Sequence, residues 1–157
     1  MANQCLNDDL RSSFVRRLRF AGFELFTAPT EVRADRQCVL AAVGSYSYAL
    51  RAASEELRGD PEIVSIAVKS HGHAIRWASS DLRNDPSCAL LAIVSQAEAL
   101  HHCPILRTDR SFLLKAVTVN GFVAEGGHFT RKMKEDETFM NQVDEALQIF
   151  RKKGRES

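Results

Sequence analysis

At 157 residues the chain has the length of one ordinary domain and can bury a core of its own. A formal charge of +1 supplies no overall field toward nucleic acid or an anionic membrane, and the longest apolar runs, CVLAAV and CALLAIV, are too short to cross a bilayer. The opening MANQCLNDDLRSSFVRRL carries Asp8 and Asp9 and no apolar stretch, so neither a secretory leader nor a transit peptide is expected.

Along the chain a pattern recurs, most plainly as Leu57-Arg58-Gly59-Asp60 and Leu82-Arg83-Asn84-Asp85. Anchored on aspartate, it falls at Asp35, Asp60, Asp85, Asp109 and Asp136, in steps of 25, 25, 24 and 27 residues, with Asp9 standing 26 before the first. Val43, Val68, Val94 and Val117 follow at eight or nine residues, and Ala49-Leu50, Ala74-Ile75 and Ala99-Leu100 at 14 and 15. A period of this length is the mark of a helical repeat array. The expected units are a degenerate one over 9–34, four at 35–59, 60–84, 85–108 and 109–135, and a C-terminal capping helix over 136–153.

Each unit reads as two short helices. The aspartate is an N-cap candidate, and Asp60-Pro61 and Asp85-Pro86 place proline at the first helical position, where its missing N–H costs nothing. The first helix runs through segments such as IVSIAV and ends near Gly72 or Gly121. The second carries Ala49, Leu50, Ala53 and Leu57, or Ala74, Ile75, Ala78 and Leu82, at helical spacing. Arginine in its last turn suits the helix dipole and stands close in sequence to the next capping aspartate. Pro29, Pro104 and Gly126-Gly127 interrupt or loosen the second helix of their units. Helices of this length are marginal alone and gain stability by stacking. The expected fold is therefore all-α: about ten to twelve short helices in two-helix repeats, stacked as a small single-domain solenoid. Its core includes Val43, Leu57, Val68, Ile75 and Leu82.

The motif D-x-x-x-V-x-x-A-V followed by G-x-A-L-x-x-A-S-x-x-L-R-x-D resembles the repeats of the family called domain of unknown function 4116, best over Asp35 to Asp85. Ser47 and Ala97 depart from it at the Gly position and Cys103 at an Ala position. The resemblance implies tandem helical repeats without an established activity, and it transfers no catalytic residue.

The residues themselves offer little chemistry. There is no phosphate-cradling glycine loop and no nucleophile or zinc motif of the G-x-S-x-G or H-E-x-x-H kind. His71-Gly72-His73 and His101-His102-Cys103 sit at different offsets in neighbouring units, thirteen residues after the aspartate for His73 and seventeen for His102. They are therefore expected to lie apart, with no metal and no cofactor bound. Glu55 and Glu56 read as a solvated face. Cys5, Cys38, Cys88 and Cys103 lack CxxC spacing and read as reduced thiols of a cytoplasmic protein, the latter three inside or beside apolar runs. The positions flanking the turn between paired helices vary most: Tyr46 and Tyr48, His71 and His73, Gln96 and Glu98, Asn120 and Phe122. With Trp77, the candidate binding residues are Tyr46, Tyr48, His71, His73, Trp77 and Phe122, which either pack between turns or form a partner edge. Arg51, Arg76 and His101 form a second row, read as a solvated face or a surface for an acidic partner. The expected function is non-catalytic protein–protein interaction or scaffolding. A nucleic-acid-binding repeat is the alternative, disfavoured by the near-neutral charge, and an enzyme comes third for want of a convergent constellation.

Overall fold

The structure, a computed structural model, describes residues 6–154; Cys5 and Arg155 of the basic tail lie outside them. Among the described residues every regular element is helical and there is no strand. Six longer helices set the frame: α1 (Asp8–Leu18), α2 (Arg36–Ser45), α3 (Pro61–Ser70), α4 (Pro86–Ser95), α5 (Arg110–Val119) and α6 (Glu137–Lys153). Each packs on the next, α1 on α2 through to α5 on α6.

Five of the six start at an expected aspartate. Asp60 Oδ1 accepts from the Glu62 and Ile63 amides at 2.9 and 3.2 Å, and Asp35, Asp85, Asp109 and Asp136 cap α2, α4, α5 and α6 in the same way. Asp9 does not: it lies inside α1, and Asn7 caps that helix by accepting from the Asp9 amide. The second carboxylate oxygen has another use. Arg36, the first residue of α2, donates to Asp60 Oδ2 at 2.8 Å, Arg11 to Asp35 Oδ2 at 2.7 Å and Arg110 to Asp136 Oδ2 at 2.6 Å. The cation at the cap thus comes from the preceding long helix, not from the Leu-Arg step that precedes the aspartate in sequence. Where Pro61 or Pro86 replaces arginine at the first helical position, Asp85 and Asp109 have no such partner.

The second helix of each unit is not the expected α-helix. Ser47–Ala52, Gly72–Trp77 and Ala97–His102 are six-residue 3₁₀ segments, as is Gly22–Thr27 before them. One buried row recurs every three residues, Ser47 with Leu50 and Ala53, Gly72 with Ile75 and Ala78, Ala97 with Leu100 and Cys103, and Ala49, Ala74 and Ala99 are buried beside it. A period of three suits a 3₁₀ turn better than the 3.6 of an α-helix. The segments ending at Ala53 and Ala78 stop in extended backbone, with ψ of 155° and 162°, while Ala97–His102 turns off at Cys103 with ψ 74°. Ser79 next caps a new short turn by accepting from the Leu82 amide, as Ser54 does from Leu57. The described chain therefore holds sixteen helical segments rather than ten to twelve. Pro104 shortens nothing, because the break precedes it and it begins the short turn, where no donor is needed. In the last unit the 3₁₀ segment gives way to Phe122–Glu125, a one-turn α-helix closed by Gly126 and by Gly127 at φ +71°.

The buried apolar residues form one continuous cluster from Leu18 to Ala146. Val43, Leu57, Val68 and Ile75 are in it, while Leu82, on the short turn Ser80–Arg83, stays half-buried at its margin. In α4 the core position is Ile93, and Val94, one residue on, is 61% exposed, since a one-residue step rotates a side chain about 100° around the helix. Cys38, Cys88 and Cys103 are free and buried; burial pushes their thiols up to about 12, 11 and 12, so none is a ready nucleophile.

Two glycines set how closely neighbours approach. A Cβ on Gly22 would stand 2.2 Å from the Ala42 carbonyl oxygen, and one on Gly72 2.3 Å from that of Ala92. Gly72→Ala should therefore cost about 1–3 kcal/mol, read as a lower denaturation midpoint. Asp60→Ala should cost about 1 kcal/mol in the same measurement through loss of the cap. The Asp60 carboxyl is pushed up by partial burial, but Arg36 and the Ile63 and Glu62 amides outweigh this and hold it below the usual 3.8. Its share of stability is present above pH 3.8 and lost as the pH falls through the depressed native value, so acid unfolding of Asp60→Ala should be the flatter.

Candidate functional site

The 3₁₀ segments pack on one another in succession, Gly22–Thr27 on Ser47–Ala52, that on Gly72–Trp77, and that on Ala97–His102. Each long helix ends one residue before an extended link residue: Tyr46, His71 and Gln96, with φ between −143° and −150°. The abrupt change from helical to extended backbone swings these side chains outward, which is why they collect along one edge.

The rings at the first two turns touch. Tyr46 and Tyr48 lie with centroids 5.8 Å apart, and Tyr48 and His71 5.7 Å apart. Ser47 Oγ and His71 Nδ1 are 3.3 Å apart, fixing the imidazole against the previous turn. The line continues through a hydrogen bond rather than a ring: the His73 amide donates to Gln96 Oε1 at 3.0 Å. Gln96 in turn shares a surface groove of about 420 Å³ with Val94, Glu98, Asn120, Phe122 and Phe150. Tyr46 at 41% and Phe122 at 64% exposure are the open ends of this row, His71 is exposed, and Tyr48 and His73 are half-buried. Phe122 makes no ring contact with the tyrosines, and Trp77 stands apart from both. The half-buried indole of Trp77 lies under two guanidinium groups, Arg51 at 4.9 Å and Arg76 at 4.6 Å from its centroid.

The histidines expected to lie apart do meet. His73 Nδ1 and His102 Nε2 are 3.4 Å apart, and the rings of His101 and His128 are 4.4 Å apart. Unequal offsets from the aspartate do not separate them, because long side chains reach across adjacent 3₁₀ segments. No group of three or more His, Cys, Asp or Glu converges among the described residues. The signal for His102 was in the sequence, since it holds in its unit the place that Trp77 holds in the one before. Phe150, brought into the groove by α6, had no such signal.

Burial, and then the nearby His73, Arg76, His101 and Arg83, hold the His102 imidazole below its usual 6.5. Burial likewise depresses His128, whose two ring nitrogens have no hydrogen-bond partner. A histidine with a lowered native pKa binds protons more readily when unfolded, so its effect is destabilising as pH falls through 6.5. The melting temperature should drop between about pH 7.5 and 5.5, and His102→Gln should lessen that drop.

The chain was compared with known proteins. The family model described as Domain of unknown function (DUF4116) matches residues 35–83 and again 60–96. No curated protein matches, and no solved structure matches. The two matches overlap at an offset of one unit and cover α2, α3, α4 and the 3₁₀ segments between them. Over residues 35–96, the chain is similar to the DUF4116 family.

Proposed function

We propose that the chain is a short helical-repeat solenoid, a single domain over units 9–34 to 109–135 with a terminal helix, that binds another protein without catalysis. The observation that carries this reading is the set of turn side chains from Tyr46 to Phe122, which remains partly open to solvent. The rings of Tyr46, Tyr48 and His71 touch, His73 bonds to Gln96, and Gln96 and Phe122 line one groove. Rings that served packing alone would be covered at both ends of the row; Tyr46 and Phe122 are not. Aromatic side chains presented in this way are frequent anchors of protein interfaces. Buried, unreactive thiols support a reducing compartment such as the cytoplasm, and no helix among the described residues is long and apolar enough to cross a membrane.

The test is capture from native lysate by the wild-type chain and by Tyr46→Ala/Phe122→Ala, partners being identified by mass spectrometry. Both substitutions remove exposed rings, so far-UV circular dichroism and melting should be unchanged. A partner held by the wild type should be lost, since an aromatic anchor commonly carries about 2 kcal/mol, roughly thirtyfold in affinity. Equal retention by the double variant would remove the edge from the interface.

A further inference from the structure

A cation holds the same register at the end of every unit. Arg33, Arg58, Arg83, Arg107 and Lys134 each follow the apolar residue of the short turn, Val32, Leu57, Leu82, Leu106 or Met133. Of the aspartates two residues on, Asp35, Asp60 and Asp136 pair instead with Arg11, Arg36 and Arg110. Among the described residues, Arg58, Arg83 and Arg107 have no carboxylate within ion-pair distance. Arg33, Arg58 and Arg83 also bury their Nε–H with no acceptor. An unmade buried donor is costly, and the omission recurs at one register in three successive units, on arginines that are half-buried rather than fully enclosed.

The joints that carry this row stand one on the next. The Ser54 amide donates to the Arg33 carbonyl at 2.9 Å and the Ser79 amide to the Arg58 carbonyl at 2.9 Å. A second pair of cations, Arg51 and Arg76, flanks Trp77, whose Nε1–H is likewise buried without an acceptor. The rows meet at His102, which feels Arg76 from one and Arg83 from the other, together with His73 and His101. One unit earlier, Trp77 and Arg58 hold the registers of His102 and Arg83.

We infer that the strip centred on Arg58, Arg76, Trp77 and Arg83 binds an extended acidic segment of a protein partner, its carboxylates pairing with one guanidinium group per unit. The inference rests on the proposed protein-binding reading but uses other side chains than the open ends of the tyrosine–phenylalanine row. Packed helices stand about 8–10 Å apart, and three residues of extended or polyproline chain advance about 9–10 Å. An acid at every third residue therefore keeps step with the arginines. The planar fork of arginine suits carboxylate, and each pairing is charge-assisted. Single-stranded nucleic acid needs an aromatic face on which to stack a base; the Trp77 ring already carries two guanidinium groups, and a net charge of +1 supplies no field for a polyanion.

The experiment is fluorescence anisotropy with the full chain and two labelled probes of equal charge: a Gly/Ser peptide with glutamate at every third residue, and an oligouridylate. Saturable binding of the peptide, weakened about tenfold or more by Arg58→Gln/Arg83→Gln and by high salt, is the expected result. Arg76→Gln, at an exposed position, repeats the test should the double variant melt. No saturable peptide binding by the wild type, an undiminished affinity in folded variants, or tighter binding of the oligouridylate would each overturn the inference. Peptide binding that survives Tyr46→Ala/Phe122→Ala, in a variant that still captures its lysate partner, would uphold the strip while the tyrosine–phenylalanine edge fails.

Discussion

Three of the five capping carboxylates, those of Asp35, Asp60 and Asp136, serve two helices at once, and the packing of neighbouring helices rests on that double use. One oxygen of Asp35, Asp60 or Asp136 closes the exposed amides of its own helix, while the other holds an arginine from the helix before. A local cap thereby becomes a tie between neighbours. Once the starts of successive long helices are fixed side by side, their apolar stripes face one another, and the 3₁₀ segments that follow have a defined surface to pack on. Helices of ten residues could not hold this arrangement by propensity.

The 3₁₀ segments are the costlier part of the design. Their hydrogen bonds are poorer than those of an α-helix, and six residues is long for the form. They persist because small residues at a three-residue period, Gly72 with Ala78 or Ala97 with Cys103 around a larger Ile75 or Leu100, fit closely under the adjacent long helix. The abrupt entry into each segment also delivers the functional candidates to the surface. Tyr46, His71 and Gln96 are both the backbone switch points and the residues of the edge, so stability and presentation are set at one place in each unit.

Much of this was legible in the chain. The spacing of aspartates located all five caps, and the Asp-Pro steps marked the helix starts. The second segments read as α-helical because a period of 3 and one of 3.6 differ by only about one position over so short a span. Ser54 and Ser79, inside the span expected as one running helix, are in fact caps of a new turn. Val94 misled because the unit from Asp85 sets isoleucine at the core position and valine beside it. The meeting of His73 with His102 depends on side-chain reach between segments, which offset counting does not capture. The arginine row was visible as the repeated Leu-Arg step, but that Arg58, Arg83 and Arg107 stand close in sequence to capping aspartates without pairing with them followed only from the side-chain geometry.

Asn84 shows what the stacked joints permit. Elsewhere a serine amide of one joint donates to the arginine carbonyl of the joint before, but the unit from Asp85 is one residue shorter, and there the Ile105 amide donates to the Asn84 side chain at 3.1 Å instead. Asn84 also fastens its own Nδ2 to the Ser80 carbonyl at 2.9 Å, so its amide acts as a rigid spacer that makes up the missing residue. Two joints use a peptide carbonyl as the acceptor and the shorter stretch uses a side-chain amide oxygen, so asparagine stands in for a peptide group where the register changes by one residue.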